Sequence, residues 1–521
     1  MGGVVEQIVE DPEDQLYGLD ISGRGVFEAK IHHEVNGIPE SVGSLFTTYF
    51  HNVSNRILER KSDIYSPGNW DCRGYLKLDD DRAVALRVDT QSYKNFDIAP
   101  FAEGVDTGAS FDVFCVGSPD SLTILRFPSA EGVIQFDDGY IHSPLLFRGS
   151  IDEVQDLPSG PSPDEEYSGA NLTSVWKRKA GSDSKIFKLD DPLGDVLKSL
   201  LSDFAIVSRE SVIQGNDRVV NFDGEHGRVA VGMALLPEWG RWDPYAMGTA
   251  SVDKCIRQLV AAGANPERIA LQTNFCTGDG TNPEELGSLV ETVTGAAKAS
   301  EVYQSPVVSG RESIYREAGG GSTSMPTTLL VSGIGVIDEN IAVPEDTLCA
   351  TDSIVAVVGV TENPLGGSVL ARKTGIVGAC VPETNLRKNL ALYQALYDSI
   401  KCGWIQSVRC IGEGGLAVAL SQIAFGTEAG LDIDLEELPV KDRLGETSML
   451  FNESPGRFVV EIRPKDFHMV EAVFAGQSFG KLGESTAEHR NITVKRGKTP
   501  LFCESLEKLE QIWKNALNKG Q

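Results

Sequence analysis

Residues 251–271 read SVDKCIRQLVAAGANPERIAL, and this stretch decides the fold class of the chain around it. Three of its apolar side chains, Val252, Ile256 and Leu259, recur at the spacing of one helix face. The period predicts an amphipathic helix over residues 251–262, from which the neighbouring segments can be placed.

Strands and helices alternate on both sides of this helix. A strand is predicted before it at 228–234, and a second helix at 284–299 and a strand at 328–336 are predicted after it. A further unit opens with the apolar run at 353–360, and its other predicted elements are helices at 385–401, 415–425 and 505–517 and a strand at 457–462. The alternation in both units indicates an α/β or α+β class with substantial sheets.

The N-terminal third of the chain is set apart by a linker. Alternating apolar residues predict strands at 74–78 and 83–88, whereas residues 157–169 (LPSGPSPDEEYSG) are too polar and too rich in Pro and Gly to bury a core. The predicted organisation is an acidic lead (1–24), a first sheet domain (25–150), a linker (151–202), a second sheet domain (203–345) and a C-terminal domain (346–521).

The composition limits the classes of partner. The 521 residues include 47 Lys and Arg against 75 Asp and Glu, which gives a net charge of −28. Such a surface repels nucleic acid and anionic membranes, because phosphate binding depends on basic residues. No segment has the roughly 18 apolar residues that a membrane span needs, and the nine cysteines form no C-x-x-C pair. We therefore predict a cytoplasmic protein with reduced thiols and with no nucleic-acid or membrane partner.

Several long motifs carry a family resemblance. They are Asp243-Pro-Tyr-Ala-Met, the stretch 256–271, Asn274-Phe-Cys, the stretch 305–313 (SPVVSGRES) and the stretch 326–338 (PTTLLVSGIGVID). In this order and spacing they resemble formylglycinamidine ribonucleotide synthase, the glutamine-dependent enzyme of purine synthesis. Residues 365–368 (LGGS), 414–420 (GGLAVAL) and 450–457 (LFNESPGR) resemble the glycine-rich domain of that family, while 27–31, 43–49 and 74–117 resemble its first sheet domain more weakly.

The resemblance implies an α+β architecture of domains like those of aminoimidazole ribonucleotide (AIR) synthase. Two sheet domains of the N-terminal type are expected to pair within one chain, followed by one glycine-rich domain of the C-terminal type. In the family each half contributes one domain of each type. Here the residues from 149 to 203 are too few and too polar to replace the first glycine-rich domain.

The resemblance also implies a reaction. In the family, an amide is converted to an amidine with ATP and Mg²⁺, and two histidines transfer protons. Alignment on Phe27-Glu-Ala-Lys-Ile places Ile21 at the first histidine position, and Gln91 stands at the second. Neither side chain can transfer a proton. Removing one such group typically costs roughly 10²–10⁴-fold in rate, so the family's reaction should be lost.

Other positions of the family's sites keep residues that can bind a ligand. The nucleotide-binding candidates are Arg87, Asn274, Gly310 and Ser313, the phosphate-binding candidates are Gly366, Gly367, Ser368, Glu453 and Ser454, and the Mg²⁺ candidates are Asp89 and Asp112. The plain alternatives are a solvated strand edge for 87–91 and a tight turn for 365–368. Lys254 and Gln258 replace the Glu and Asn that hold an auxiliary magnesium in long-chain members, and a lysine there repels the ion.

Three functions stay open at this point. One is a non-catalytic or accessory protein that holds a nucleotide or docks on a complete synthase. The others are an active ATP-dependent ligase subunit of a split synthase and a ligase with a changed substrate. The segment around Cys380 (GACVP) lacks the glycine that a glutaminase nucleophile elbow needs, so ammonia would have to come from a separate glutaminase subunit or from solution.

Overall fold

The computed structural model describes residues 52–58, 60–61, 64–65, 74–77, 82–91, 110–118, 121–129, 141–150, 191–208, 219–221, 228–277, 283–314, 326–375 and 380–516. A helix, α1 (Asn52–Leu58), precedes the first of three sheets. That sheet has the spatial order β1-β2-β3-β6-β5-β4 and is formed by β1 (Ile64–Tyr65), β2 (Gly74–Lys77), β3 (Arg82–Gln91), β4 (Ser110–Ser118), β5 (Ser121–Ser129) and β6 (Ile141–Ser150). Its pairs are antiparallel except β5 with β6.

The second sheet has five strands in the order β10-β9-β11-β8-β7. Helix α2 (Leu193–Leu201) precedes it in sequence. Its own elements are β7 (Val219–Asn221), β8 (Arg228–Leu235), α3 (Pro237–Gly240), α4 (Pro244–Ala261), β9 (Ile269–Thr277), α5 (Pro283–Tyr303), β10 (Val307–Ile314) and β11 (Thr328–Ile337). Strands β9 and β10 are parallel, and the other pairs are antiparallel. Helices α4 and α5 pack together so closely that a Cβ on Gly248 would lie 2.2 Å from the backbone oxygen of Thr292.

The C-terminal unit is built on a seven-stranded sheet in the order β13-β15-β12-β16-β14-β17-β18. Its strands are β12 (Ile354–Val358), β13 (Ile405–Cys410), β14 (Gly430–Asp434), β15 (Phe458–Ile462), β16 (Phe479–Thr486), β17 (Asn491–Arg496) and β18 (Thr499–Ser505). Its helices are α6 (Val369–Thr374), α7 (Leu386–Lys401), α8 (Gly415–Ala424), α9 (Glu446–Phe451), α10 (Phe467–Val473) and α11 (Leu506–Asn515), with short 3-10 turns at Leu435–Glu437 and Pro464–Asp466. Only β14 and β17 run parallel among its described pairs.

Two apolar cores lie on opposite faces of the C-terminal sheet. One core joins α4, α5 and α7, so the helices of the second sheet pack directly on the C-terminal unit. The other core is formed by α8, α9 and α11, and it also takes in α2 through Leu197 and Leu200. Helix α2, which ends the predicted linker, therefore packs in the C-terminal unit rather than with the second sheet that follows it in sequence.

The predicted α+β class is confirmed, and so are most predicted elements. Helix α4 begins at Pro244 rather than near 251, because Asp243 caps it: its carboxylate accepts a hydrogen bond from the Ala246 amide at 2.9 Å, and Pro244 takes the first helical position. Strand β9 was not predicted, since Gln272, Thr273 and Asn274 interrupt its apolar pattern.

No helix in the described part of the chain combines the length and the apolar character that crossing a bilayer needs.

Candidate functional site

A cleft opens between helix α4 and the C-terminal unit. It encloses about 280 Å³, including its open mouth, and is lined by Leu236, Trp239, Ala250, Lys254, Arg257, Gly412, Glu413, Glu453 and Pro455. Helix α4 supplies three of these residues, because positions four and three apart fall on one face. Four of the lining side chains can carry a charge, so the cleft is polar between apolar walls.

The Lys254 ammonium and the Glu413 carboxylate form a salt bridge across the cleft. Lys254 stands on α4, whereas Glu413 stands in the glycine-rich turn between β13 and α8. Burial opposes ionisation of Glu413, but the nearby ammonium outweighs it and lowers the pKa of the carboxyl below its ordinary value. The pair therefore joins the two units through opposite charges.

Glu453 is a buried carboxyl placed at two helix starts. Its Oε1 accepts hydrogen bonds from the amides of Gly414, at 2.8 Å, and Val369, at 2.9 Å. These amides belong to the first turns of α8 and α6, where backbone N–H groups lack partners within the helix. Burial and the neighbouring Glu413 carboxylate raise the pKa of Glu453 to about 8, despite those amides and Lys254. Glu453 is therefore largely protonated at neutral pH.

Two buried guanidinium groups lie beside the cleft. Arg457 is fully buried and donates to the oxygens of Ser454, Asn452 and Thr361. Arg257 is 4% exposed. No described residue offers its Nε or Nη1 a hydrogen-bond partner. Burial, followed by the charge of Arg257, lowers the pKa of Arg457 to about 9, so the two groups repel each other.

The position of α4 is fixed by a hydrogen-bonded carboxylate, that of Asp253. Oδ1 of the buried Asp253 accepts from the hydroxyls of Tyr303, at 2.5 Å, and Tyr393, at 2.6 Å, and from the Asn389 amide at 2.8 Å. Tyr393 and Asn389 stand on α7 of the C-terminal unit. The arrangement therefore holds the two sides of the cleft in register.

The predicted phosphate-binding residues come together at this cleft. Gly367 has φ +73°, and a Cβ there would lie 2.8 Å from Trp239 of the cleft wall. The Ser368 hydroxyl caps α6 by accepting from the Ala371 amide at 3.1 Å. The Ser454 hydroxyl accepts from the Glu362 amide at 2.9 Å. Gly366 donates its amide to Cys380. These contacts build the loops, and phosphate binding by residues 366–368, Glu453 and Ser454 stays a prediction.

The predicted nucleotide-binding residues lie on adjoining strands of the first two sheets. Asn274 is buried on β9, and the parallel register pairs Gly310 of β10 with Thr273 and Ser313 with Cys276. Strand β3, which carries Arg87 and Asp89, contacts β9 and β10. The side chains of Arg87, Asp89, Gln91 and Ser313 lie outside the described residues, and nucleotide binding here stays a prediction.

The two Mg²⁺ candidates stand on strands that are not neighbours. Asp89 is on β3 and Asp112 on β4, and β6 and β5 lie between these strands. With about 4.8 Å between adjacent strands, the two backbones are roughly 14 Å apart along the sheet. The side chain of Asp112 and all of Ile21 lie outside the described residues. Among the side chains that the structure does describe, no group of three His, Cys, Asp or Glu is placed to hold a metal ion.

Sequence reasoning missed Arg257, Glu413 and Trp239 as cleft residues. Arg257 reads as an ordinary polar position of an amphipathic helix, and only the distant C-terminal unit buries it. A signal for Glu413 exists, since a carboxylate in a Gly-Glu-Gly-Gly turn before a helix is well placed to face a ligand.

Comparison with known proteins places both later units in one family. The model of the AIR synthase related protein, N-terminal domain, matches residues 211–337, and the corresponding C-terminal domain matches 350–495. Phosphoribosylformylglycinamidine synthase subunit PurL of Thermococcus sibiricus is 30% identical over 273 residues, 52% of this chain and 37% of the relative. The subunit from Lactobacillus helveticus is 28% identical over 406 residues, 76% of this chain and 52% of the relative. The chain thus spans about half the length of the curated relatives it matches.

The similar solved structures are less identical in sequence. Thermotoga maritima PurL in complex with FGAR is 18% identical with a TM-score of 0.49, covering 57% of this chain and 48% of the other. The same protein with ADP is 16% identical with a TM-score of 0.49, covering 61% and 52%.

Proposed function

Because this chain belongs to the AIR synthase-related family, we propose that it is a relative of phosphoribosylformylglycinamidine synthase that binds a nucleotide or another phosphorylated ligand without forming an amidine. The observation that supports this most is Lys254, whose ammonium lies in the cleft and pairs with Glu413. An ammonium there repels a divalent metal. Ile21 and Gln91 stand where the resemblance implies proton-transferring histidines. In this proposal the protein therefore keeps ligand binding and has lost the amidine-forming activity.

The proposal includes a second sheet domain of the N-terminal type, formed by β1–β6. Its support is contact between sheets: β2 and β3 contact β9 and β10, and α1 contacts α5. The Ser54 hydroxyl also donates to the Val307 oxygen at 2.7 Å, which ties α1 to the start of β10. In this arrangement the strands that carry the nucleotide candidates are in contact: β3, with Arg87, contacts β9, with Asn274, and β10, with Gly310.

The ligand-binding protein would act as an accessory or assembly partner, either of a complete synthase or of a separate glutaminase subunit. An active ligase subunit is the second candidate, favoured by the fact that the similar proteins are themselves named as subunits. A solved Thermotoga maritima assembly is described as PurLQS. In that case the ammonia would come from a partner chain, and a changed substrate would be an alternative to the family's own.

Calorimetric titration of the full chain with ADP and ATP, with and without Mg²⁺, tests the binding half of the proposal. We expect saturable nucleotide binding that weakens in Asp89→Ala and Asp112→Ala. If neither nucleotide binds, the protein is a scaffold and the nucleotide part of the proposal is wrong.

Incubation with formylglycinamide ribonucleotide, ATP, Mg²⁺ and ammonium chloride tests the catalytic half. We expect no amidine product and no substrate-dependent ADP release. Formation of the amidine would establish the ligase subunit instead, because ammonia replaces the need for a glutaminase.

A further inference from the structure

A segment that precedes the second sheet in the chain packs on the C-terminal unit. We call this segment the strap and define it as residues 191–208, which contain helix α2 and the turns that follow it. Leu197 and Leu200 of α2 are fully buried in the core formed by α8, α9 and α11. At the end of the strap, the Ser208 amide donates to the Trp513 oxygen at 3.0 Å. The strap is therefore anchored to the C-terminal unit near both of its ends.

Asp203 joins the strap to helix α6. Its side chain is 5% exposed, and its carboxylate lies 2.6 Å from Nη2 of Arg372 and 3.4 Å from Nζ of Lys373. Both cations belong to the last turn of α6, which has only six residues. At 1.5 Å per residue this helix is about 9 Å long, so holding its end also holds its first turn. That first turn contains the Val369 amide, which donates to Glu453.

Ile206 of the strap packs on the other helix start at the cleft. A Cβ on Gly414 would lie 2.8 Å from Cδ1 of Ile206, so the two residues are in close contact. Gly414 has φ +79° and is the N-cap of α8, and its amide donates to Glu453 at 2.8 Å. Ile206 is itself buried. Because a packed side chain leaves little room for its neighbours to shift, Ile206 limits the movement of the Gly414 turn.

We infer that the strap is a positioning element of the cleft. Asp203 and Ile206 hold the first turns of α6 and α8 in the places from which both turns donate to Glu453. They are positioning residues, since neither side chain lines the cleft. The inference goes beyond the proposed function, because it concerns the local order of two helix starts and requires no ligand. Failure of the nucleotide titration therefore leaves it standing, and its own failure leaves nucleotide binding untouched.

The test is amide hydrogen exchange of the full chain, followed by mass spectrometry of peptides from α6, from residues 412–418 and from strands β12 and β15. In Asp203→Asn, the amides of α6 should exchange about tenfold faster, as expected for the loss of a charge-assisted hydrogen bond. In Ile206→Val, which removes the Cδ1 methyl, exchange should become faster at 412–418. Strands β12 and β15 should exchange as in the wild type in both variants.

The two strands separate positioning from a general loss of stability. A variant that is only less stable exchanges faster throughout the C-terminal unit, because global unfolding exposes every amide. An equal increase in β12, β15 and α6 would therefore overturn the inference. Unchanged exchange at 412–418 in Ile206→Val would overturn the part assigned to Ile206.

Two more substitutions assign the effect to the ion pairs of Asp203. Arg372→Gln removes the partner at a side chain that is 23% exposed, so it should reproduce the faster exchange of α6 and serves if Asp203→Asn does not fold. The matched control is Asp195→Asn, which changes a strap carboxylate that is 63% exposed and pairs with Lys198 at 3.1 Å. This control should leave α6 unchanged. Wild-type exchange of α6 in Asp203→Asn or in Arg372→Gln would refute the role of Asp203.

Discussion

The protonation of Glu453 provides the sharpest test of the cleft electrostatics. The variant Glu453→Gln keeps an oxygen that can accept from the Gly414 and Val369 amides, but it cannot ionise. The other two charged groups, the Glu413 carboxylate and the Lys254 ammonium, stay in place. The substitution therefore isolates the free energy of placing a negative charge at this position.

The expected magnitude follows from the pKa. Burial and the Glu413 carboxylate raise the pKa of Glu453 from 4.5 to about 8, and a difference of one in pKa corresponds to about 1.36 kcal/mol. Because the folded-state pKa is the higher one, the neutral carboxyl's stabilisation is complete below pH 4.5 and is lost as the pH rises towards 8. The full difference is about 5 kcal/mol, and we expect about 2–5 kcal/mol because water entering the cleft reduces it.

The assay is urea unfolding followed by tryptophan fluorescence at several pH values between 4.5 and 9. Glu453→Gln should gain stability relative to the wild type progressively over this range, and the difference should level off above pH 8. Glu484→Gln, a substitution at a side chain that is 59% exposed, serves as the control and should run parallel to the wild type. A constant difference between Glu453→Gln and wild type would mean that Glu453 is ionised throughout, and the account of the cleft would be wrong.

Three further substitutions probe the packing around the cleft. Lys254→Gln should lower the free energy of unfolding by about 1 kcal/mol at pH 7. This loss should become smaller below pH 4.5, because the partner carboxylate of Glu413 then becomes protonated. Equal losses at pH 7 and pH 4 in urea unfolding would contradict this. In thermal unfolding, Gly248→Ala should destabilise the protein by roughly 1–3 kcal/mol or more, because the new Cβ meets the backbone of α5. A Cβ at Gly412 meets no atom within 4 Å, so the control Gly412→Ala should be close to neutral in this assay. Tyr393→Phe should lower the free energy of unfolding by about 1–3 kcal/mol, because the buried Asp253 carboxylate loses a donor; an unchanged midpoint in urea would show that the hydroxyl is dispensable.

Periodicity predicted the helices whose apolar side chains recur at helical spacing. Helices α4, α5 and α7 were found this way, since one apolar face of each packs in the core. Strand β9 escaped detection because it is buried along its whole length while carrying polar side chains in the middle, such as Gln272. The strand propensity of a sequence does not indicate a fully buried strand with polar residues, because its burial depends on a neighbouring sheet.

The candidate site was predictable only where loop residues carry their own signal. The glycines at 366–367 and the segment around Glu453 stood out in the sequence, and the structure brings them together. Arg257 did not, because its burial arises from Glu413 and its neighbours, which lie more than a hundred residues further along the chain. A helix pattern shows which residues are polar, but it does not show which polar residues a later domain will cover.

Helix α2 has a consequence for how the chain is made. It is synthesised before the second sheet, yet Leu197 and Leu200 are covered by the C-terminal core. The Trp513 indole donates to the Ile206 oxygen at 2.7 Å, a contact that joins residues 307 positions apart. On the ribosome that covering surface is incomplete until α11 emerges, and closing so long a loop is slow. The nascent chain therefore carries an incompletely covered apolar helix through most of its synthesis, and the helix stays incompletely covered in any product that stops before α11.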